Sequence, residues 1–331
     1  MSASKSSIVL VMEKPIQLKW AASVISEKWP DCPVFVVLTY YMGVYEFRYP
    51  RGMKMADFPF IGEPAWKVRD FGYPMCMVHE IVNGQASRTD LNFSDVLRDA
   101  GEIWFACDPD HSGANAFEVL MAECLSIDTS SQAFPAIFLK SLESGYLRSA
   151  MAAGSTTDMP EFREWAAEGQ AKRFFDFNFN TNSMAVFGDR LRKAGVNTEK
   201  FDMGKNSLQI LYWMRAQQGV QVVQEFTLLQ LMERWKGTGR YGECEMGSPA
   251  SRGPIFMTLL NAGLLERRGS DLDISDAGLE FLNLLHPDCE DQDLPARLHE
   301  WQSDWPNSKP KMERYIRTLF GKQLRFNQAC R

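Results

Sequence analysis

The sequence predicts an α/β domain on a mostly parallel, Rossmann-like sheet, followed by a mainly α-helical domain with a winged-helix-like segment. Three observations predict it. Apolar runs without polar alternation recur through residues 1–152, separated by helical periodicity, as in strands buried on both faces. The stretch "MAAGSTTDMP" (151–160) breaks the pattern, and the strand signals stop after it. Residues 254–285 then read helix, turn, strand, polar tip, strand, helix. The expected domains are therefore 1–152 and 160–331.

In order, "SIVLVM" (7–12) reads as a buried strand, followed by Glu13 and a helix with Ile16, Trp20, Val24 and Ile25 on one face. "PVFVVLTYYM" (33–42), "YPMCMVHEIV" (73–82), "EIWFACD" (102–108) and "FPAIFLKSL" (134–142) are further strand candidates. Between the last two, Phe117, Leu120, Met121, Cys124 and Leu125 recur at helical spacing. Residues 161–177, 183–194, 206–217 and 226–236 read as helices, and the glycine-rich "GTGRYGECEMGSPASRGP" (237–254) as a loop. In 254–285, Gly263 ends a helix, Gly269–Asp271 forms the tip between two strands, and a helix starts near Ser275.

The 331 residues carry a net charge of −6, which argues against a protein that coats nucleic acid by charge alone and leaves a local basic groove open. No run approaches the roughly 18 apolar residues of a membrane span, and the N-terminus does not read as a secretory signal. Seven scattered cysteines without a CxxC pair fit free thiols in a reducing cytoplasm.

Glu13 follows the first strand, and Asp108 and Asp110 follow another. Carboxyl ends of neighbouring strands converge on one edge of such a sheet, where ligands bind. Three carboxylates meeting there repel unless a cation or a proton resolves the conflict, and oxygen-only ligands favour Mg2+. The alternative is that Asp110 and Ser112 begin and cap the next helix. His111, between them, is either a proton carrier, a phosphate contact or a solvent-facing side chain.

The pair "LVMEKP" and "ACDPDHSG" resembles the Toprim domain of type IA DNA topoisomerases. Glu13, Lys14 and Pro15 match that family's Glu-Lys-Pro motif, and Asp108, Asp110 and Gly113 match its Asp-x-Asp-x-Glu-Gly motif. The resemblance implies Mg2+ at the two aspartates, Glu13 as general acid toward a departing sugar oxygen, and Lys14 steadying a phosphate. It continues through "AIFLKSLESGYLRSAM" (136–151) and "AEGQAKRFFDFNFNTNS" (167–183), where Asp176 and Asn182 take the places of a recurring Asp and Asn. "DMGKNSLQILYWMRAQ" (202–217) is similar to the family's Gly-Arg-Val-Gln segment, with Gly204 and Lys205 in register. A glycine-rich loop with Ser251 before a helix resembles a late segment of the family. The candidate DNA contacts are Lys172, Arg173, Lys205, Arg240 and Arg252, each otherwise a solvated surface charge, with Asn182, which either bonds a base or caps a turn, and Ser251. Phe174, Phe175, Phe177 and Phe179 either stack on bases or form core.

Three departures from the family pattern shape the expected function. Ser112 replaces the third acid of the metal motif, and an arginine expected soon after Asn182 is absent. The nucleophilic tyrosine belongs to an arch domain, yet here residues 215–226 alone join the flanking helices, and no tyrosine has the family's motif. Without a positioned nucleophile there is no covalent strand passage. The expectation is a topoisomerase-like protein that binds single-stranded DNA and Mg2+ without passing strands alone. The alternatives are a Mg2+-dependent nickase, one half of an enzyme completed by a partner protein, or a protein-interaction module with a vestigial metal site. Reduced relatives of this kind are expected on mobile elements.

Overall fold

A computed structural model describes residues 7–40, 45–69, 77–199 and 201–329. Contacts divide the chain into two compact units, Met1–Arg48 with Ala65–Gln170, and Tyr49–Pro64 with Ala171–Arg331. The division falls within a long helix, later in the chain than the break read at 151–160. It also assigns to the second unit a segment that the sequence places among the strands.

The first unit runs β1 (Ile8–Met12), α1 (Pro15–Lys28), β2 (Val34–Leu38), β3 (Tyr45–Phe47), β4 (Trp66–Val68), β5 (Met77–Val82), β6 (Gln85–Arg88), α2 (Phe93–Arg98), β7 (Glu102–Phe105), α3 (His111–Leu125), α4 (Ser144–Ala152) and the start of α5 (Pro160–Val186). Five strands form one sheet in the order β6-β5-β2-β1-β7. β1 is parallel to β2 and to β7, with Val9 opposite Phe35 and Ile103, whereas β5 is antiparallel to β2 and β6. All strands of this sheet except β5 therefore point the same way. β3 and β4 pair as a separate antiparallel ribbon.

The uninterrupted apolar run of β1 has a physical cause: both faces of the strand are buried. Leu10 and Met12 face a core shared with Leu18, Ala21 and Ile25 of α1 and Leu147 and Met151 of α4. Val9 and Val11 face the opposite core, with Phe117, Leu120 and Met121 of α3 and Phe93 and Leu97 of α2.

Two expectations are corrected here. Ile16 and Trp20, read as core residues of α1, are 47% and 55% exposed. The buried face of the helix is Gln17, Leu18, Ala21, Ala22, Val24 and Ile25, because Gln17 turns inward at the end of β1 and sets the helix rotation. The candidate strand 134–142 is reduced to two isolated bridges, a parallel one between Phe105 and Ala136 and an antiparallel one between Pro135 and Thr156. Residues 41–42 and 73–76 of two other candidates lie outside the described residues.

The second unit continues with α6 (Gly188–Lys193), α7 (Lys205–Gln217), β8 (Val223–Gln224), α8 (Glu225–Glu233), α9 (Pro249–Asn261), β9 (Leu265–Arg268), β10 (Asp271–Ile274), α10 (Asp276–Asn283), α11 (Leu294–Ser303) and α12 (Lys309–Ala329). The winged-helix-like pattern is present. β9 and β10 pair as a hairpin, and β8 adds a third strand in the order β8-β10-β9. Gly263 (φ +74°) and Gly269 (φ +68°) make the two turns, and the Ser275 hydroxyl accepts the Gly278 N–H to cap α10. α9 starts inside the stretch read as a loop, with Pro249 in its first turn, where a missing N–H costs nothing.

Of the two helices read over 161–177 and 183–194, the first, α5, runs on to Val186 and the second, α6, starts at Gly188, so the break falls at Phe187 instead of within 178–182. The polar middle of α5 does not break it, because Asn178, Thr181 and Asn182 donate to carbonyls one turn back, those of Phe174, Phe177 and Asn178. Phe174, Phe175 and Phe179 are buried in the core of the second unit, and Phe177 is buried in a stack on Tyr49, 5.7 Å between centroids. The aromatic run is therefore core rather than a base-stacking surface.

Asn182 is buried on the same helix. Fully buried, it accepts the Phe60 N–H at 2.8 Å and donates to the Phe60 carbonyl at 2.7 Å, and Asn178 makes the same pair of bonds to Gly62. The two amides thus clamp the Tyr49–Pro64 segment onto α5 as a neighbouring strand would. Truncating Asn182 to Ala strands two backbone groups, and a loss of about 2–3 kcal/mol in urea unfolding is expected.

Candidate functional site at the carboxyl ends of β1 and β7

Two turns converge where β1 and β7 end side by side. After β1 the chain passes through Glu13 and Lys14 into α1, with Pro15 at its first position. After β7 it passes through Cys107, Asp108 and Asp110 into α3. Gly113 makes the second turn possible: a Cβ there would lie 2.2 Å from the Asp108 carbonyl oxygen. That contact is with backbone and cannot be relieved by a side-chain rotation. Gly113→Ala is expected to cost about 2–3 kcal/mol in chemical denaturation and to displace Asp108.

The side chains interlock. Lys14 Nζ pairs with one Asp108 oxygen, and Gln17 Nε2 donates to the other. Gln17 Oε1 in turn accepts the backbone N–H groups of Glu13 and Lys14 at 2.9 and 2.8 Å. Glu13 Oε2 accepts the Asp108 N–H at 3.1 Å. Asp110 caps α3, its Oδ1 accepting the N–H groups of Ser112 and Gly113 at 2.8 and 2.9 Å. Of the two capping candidates it is thus Asp110, not Ser112, whose side chain caps the helix.

Sequence reasoning missed Gln17. Its signal was its place three residues after the residue preceding α1, where Gln closes a capping box.

Glu13 is fully buried, and its Oε1 has no hydrogen-bond partner. Burial, then the charges of Asp108 and Asp110, push its pKa from the ordinary 4.5 up to about 8. At neutral pH it holds a proton, which removes one of the three clashing charges. Thr39, just past β2, is also fully buried with an unsatisfied hydroxyl, and its N–H binds the Met12 carbonyl at 2.8 Å. The Cys107 thiol is buried against the Val11 carbonyl, and burial together with the same carboxylates pushes its pKa up. It is a protonated, unreactive thiol. His111 is the half-buried first residue of α3, and Gly169 of α5 packs close to its carbonyl.

The donor set has the chemistry of a hard-cation site, with carboxylate oxygens only and one buried Glu13 oxygen left unsatisfied. Lys14 and Gln17 hold both Asp108 oxygens, so a cation would have to displace them. Among the described residues, no three His, Cys, Asp or Glu side chains already stand at coordinating positions.

The residues assigned to DNA by resemblance lie in the second unit, apart from this cluster in the sequence of elements. Lys172, Arg173 and Lys205 gather around Asp176. Lys205 pairs with it directly, and Arg173, which is buried, lies 3.7 Å from it. Burial alone would raise the Asp176 pKa, but Lys205, Arg173 and Lys172 outweigh it and hold the carboxyl below its ordinary value.

Arg252 is buried on α9, bonded to Glu245 at 2.7 Å and to the Gly247 carbonyl at 3.2 Å. Ser251 donates to the Ser248 carbonyl at 2.9 Å. Asn182, Arg173 and Arg252 thus hold the fold together. Arg240 is exposed beside the Tyr241 ring, 5.6 Å from its centroid, so of these cations it is the one best placed for a solvent-borne phosphate.

No protein-family model matches the chain, and no curated protein matches it significantly. No helix among the described residues is long and apolar enough to cross a membrane.

Proposed function

We propose that this chain is a topoisomerase-like protein of the Toprim type that binds single-stranded DNA and takes up Mg2+ at Glu13, Asp108 and Asp110, without strand passage of its own. The observation that carries the reading is the juxtaposition of a buried Glu13 with Asp108 and Lys14 at the ends of two adjacent parallel strands. Bound Mg2+ would neutralise phosphate charge there. Lys14 is placed to meet a phosphate once released from Asp108. Glu13 Oε1 is the carboxyl oxygen without a hydrogen-bond partner in the chain. Asp110 keeps the first turn of α3 in place.

The test pairs binding with cleavage. Wild-type protein and an Asp108→Asn/Asp110→Asn variant are heated with and without Mg2+, then incubated with single-stranded oligonucleotide and supercoiled plasmid. The reading expects Mg2+ to raise the melting temperature of the wild type only. It also expects salt-sensitive oligonucleotide binding and no relaxation of the plasmid. Mg2+-dependent nicking, lost in the variant, would make the chain a nickase instead. Absence of both the Mg2+ shift and DNA binding would sink the proposal.

One observation favours a second reading, a protein dock around β8 and the start of α8, beside the winged-helix-like segment. Val220, Val222 and Phe226 are 75%, 66% and 68% exposed, and α9 carries a single cation, the buried Arg252. A protein contact of that kind would persist in high salt, whereas phosphate binding would not.

A further inference from the structure

We infer that Thr39, at the carboxyl end of β2, is a positioning residue of this site, its hydroxyl holding the free oxygen of Glu13 through a single buried water. The inference rests on the function proposed above and extends its site from β1 and β7 to a third strand.

The register places the two side chains together. β1 and β2 are parallel, with Val11 opposite Val37 and Met12 opposite Leu38. The pairing continues past the strand ends: the Thr39 N–H donates to the Met12 carbonyl at 2.8 Å, and the Tyr40 N–H to the Glu13 carbonyl at 2.9 Å. Strand alternation turns Glu13 to the face of Val11 and Thr39 to the face of Val37, and those two valines share one core. Tyr40, the next residue, packs against the opposite core, as alternation requires. Neighbouring strands run roughly 4.8 Å apart, so Glu13 and Thr39 stand side by side on one face.

Both residues are fully buried, and each keeps one oxygen unsatisfied, Glu13 Oε1 and Thr39 Oγ1. A buried oxygen without a partner is costly, and two in one row call for a common partner. The β7 side of the row is already engaged. There the Asp108 N–H donates to Glu13 Oε2 at 3.1 Å, and the Cys107 thiol donates to the Val11 carbonyl at 3.4 Å. Glu13 Oε1 is therefore left for the β2 side, where the Thr39 hydroxyl can both donate and accept. The two oxygens are not bonded to each other directly, and one water bonded to both satisfies each. A carboxyl oxygen can accept twice, so the water leaves Oε1 able to face a cation. Fixing both oxygens of a long side chain is what an outer partner does for a metal ligand.

Thr39→Val, which drops the hydroxyl at nearly constant shape, and Thr39→Ser, which keeps it, are compared with wild type in the full chain. Mg2+ binding is read from the heat of titration, and the fold from melting curves in EDTA. The expected result for the Val variant is about tenfold weaker Mg2+ binding and a lower melting temperature in EDTA, with both restored in the Ser variant. A Val variant that binds Mg2+ as tightly as wild type overturns the inference and leaves the proposed function standing, whether or not it melts earlier. A Ser variant no better than the Val variant places the effect in the lost methyl group and overturns it as well. Failure of the wild type itself to bind Mg2+ overturns both the inference and the proposed function.

Discussion

Replacing Lys205 by Met is expected to destabilise the protein by about 3 kcal/mol in urea unfolding, because it leaves Asp176 charged within the second unit with only its weaker partners. A Lys205→Met/Asp176→Asn double variant should recover most of that loss, since no charge then remains to be compensated. The pH dependence has a defined sign. The Asp176 pKa is lowered in the folded state, so its contribution is present above the unfolded value and is lost as pH falls through the folded one. A single variant within about 0.5 kcal/mol of wild type would instead mark Lys205 as a surface cation, free for the phosphate contact that the resemblance assigns it.

Glu13→Gln is expected to have the opposite effect, one that grows with pH. The folded-state pKa of Glu13 is raised from 4.5 to about 8, so the folded chain holds a proton that the unfolded chain has lost. The associated stability is fully present below pH 4.5, falls as pH rises, and is gone above about 8. Across that window the wild type should lose about 1.4 kcal/mol per pH unit relative to the variant, which has no titrating group at position 13. By pH 9 the Gln variant should be the more stable by about 4 kcal/mol. Melting curves of the two proteins from pH 4 to 9 test this, and parallel curves would mean that Glu13 is charged and paired throughout.

Much of the architecture was legible along the chain because its signals are local. Continuous apolar runs mark strands buried on both faces, and β1, β2 and β7 lie where such runs occur. Gly263, Gly269 and Ser275 announce the hairpin and cap of the winged-helix-like segment, since the turns need positive φ and the helix needs a hydroxyl acceptor. Glu13, Asp108 and Asp110 stand out for the same reason, each lying just past a strand end.

What the sequence by itself determined is therefore a set of strands and helices, and the placing of three carboxylates and a lysine at the ends of two strands. Only the tertiary structure decided which groups each of them meets. It made β1 and β7 parallel neighbours, and that pairing brings Glu13 to the Asp108 amide. It turned Gln17 inward and Trp20 outward, a rotation of α1 that helical periodicity alone did not specify. It also set Asn182, Arg173 and Arg252 to holding the fold, where the resemblance assigned them to DNA. The physical reason is the same in each case: a polar side chain's role depends on whether water or another protein group satisfies it, and that is settled by contacts between residues far apart in the chain.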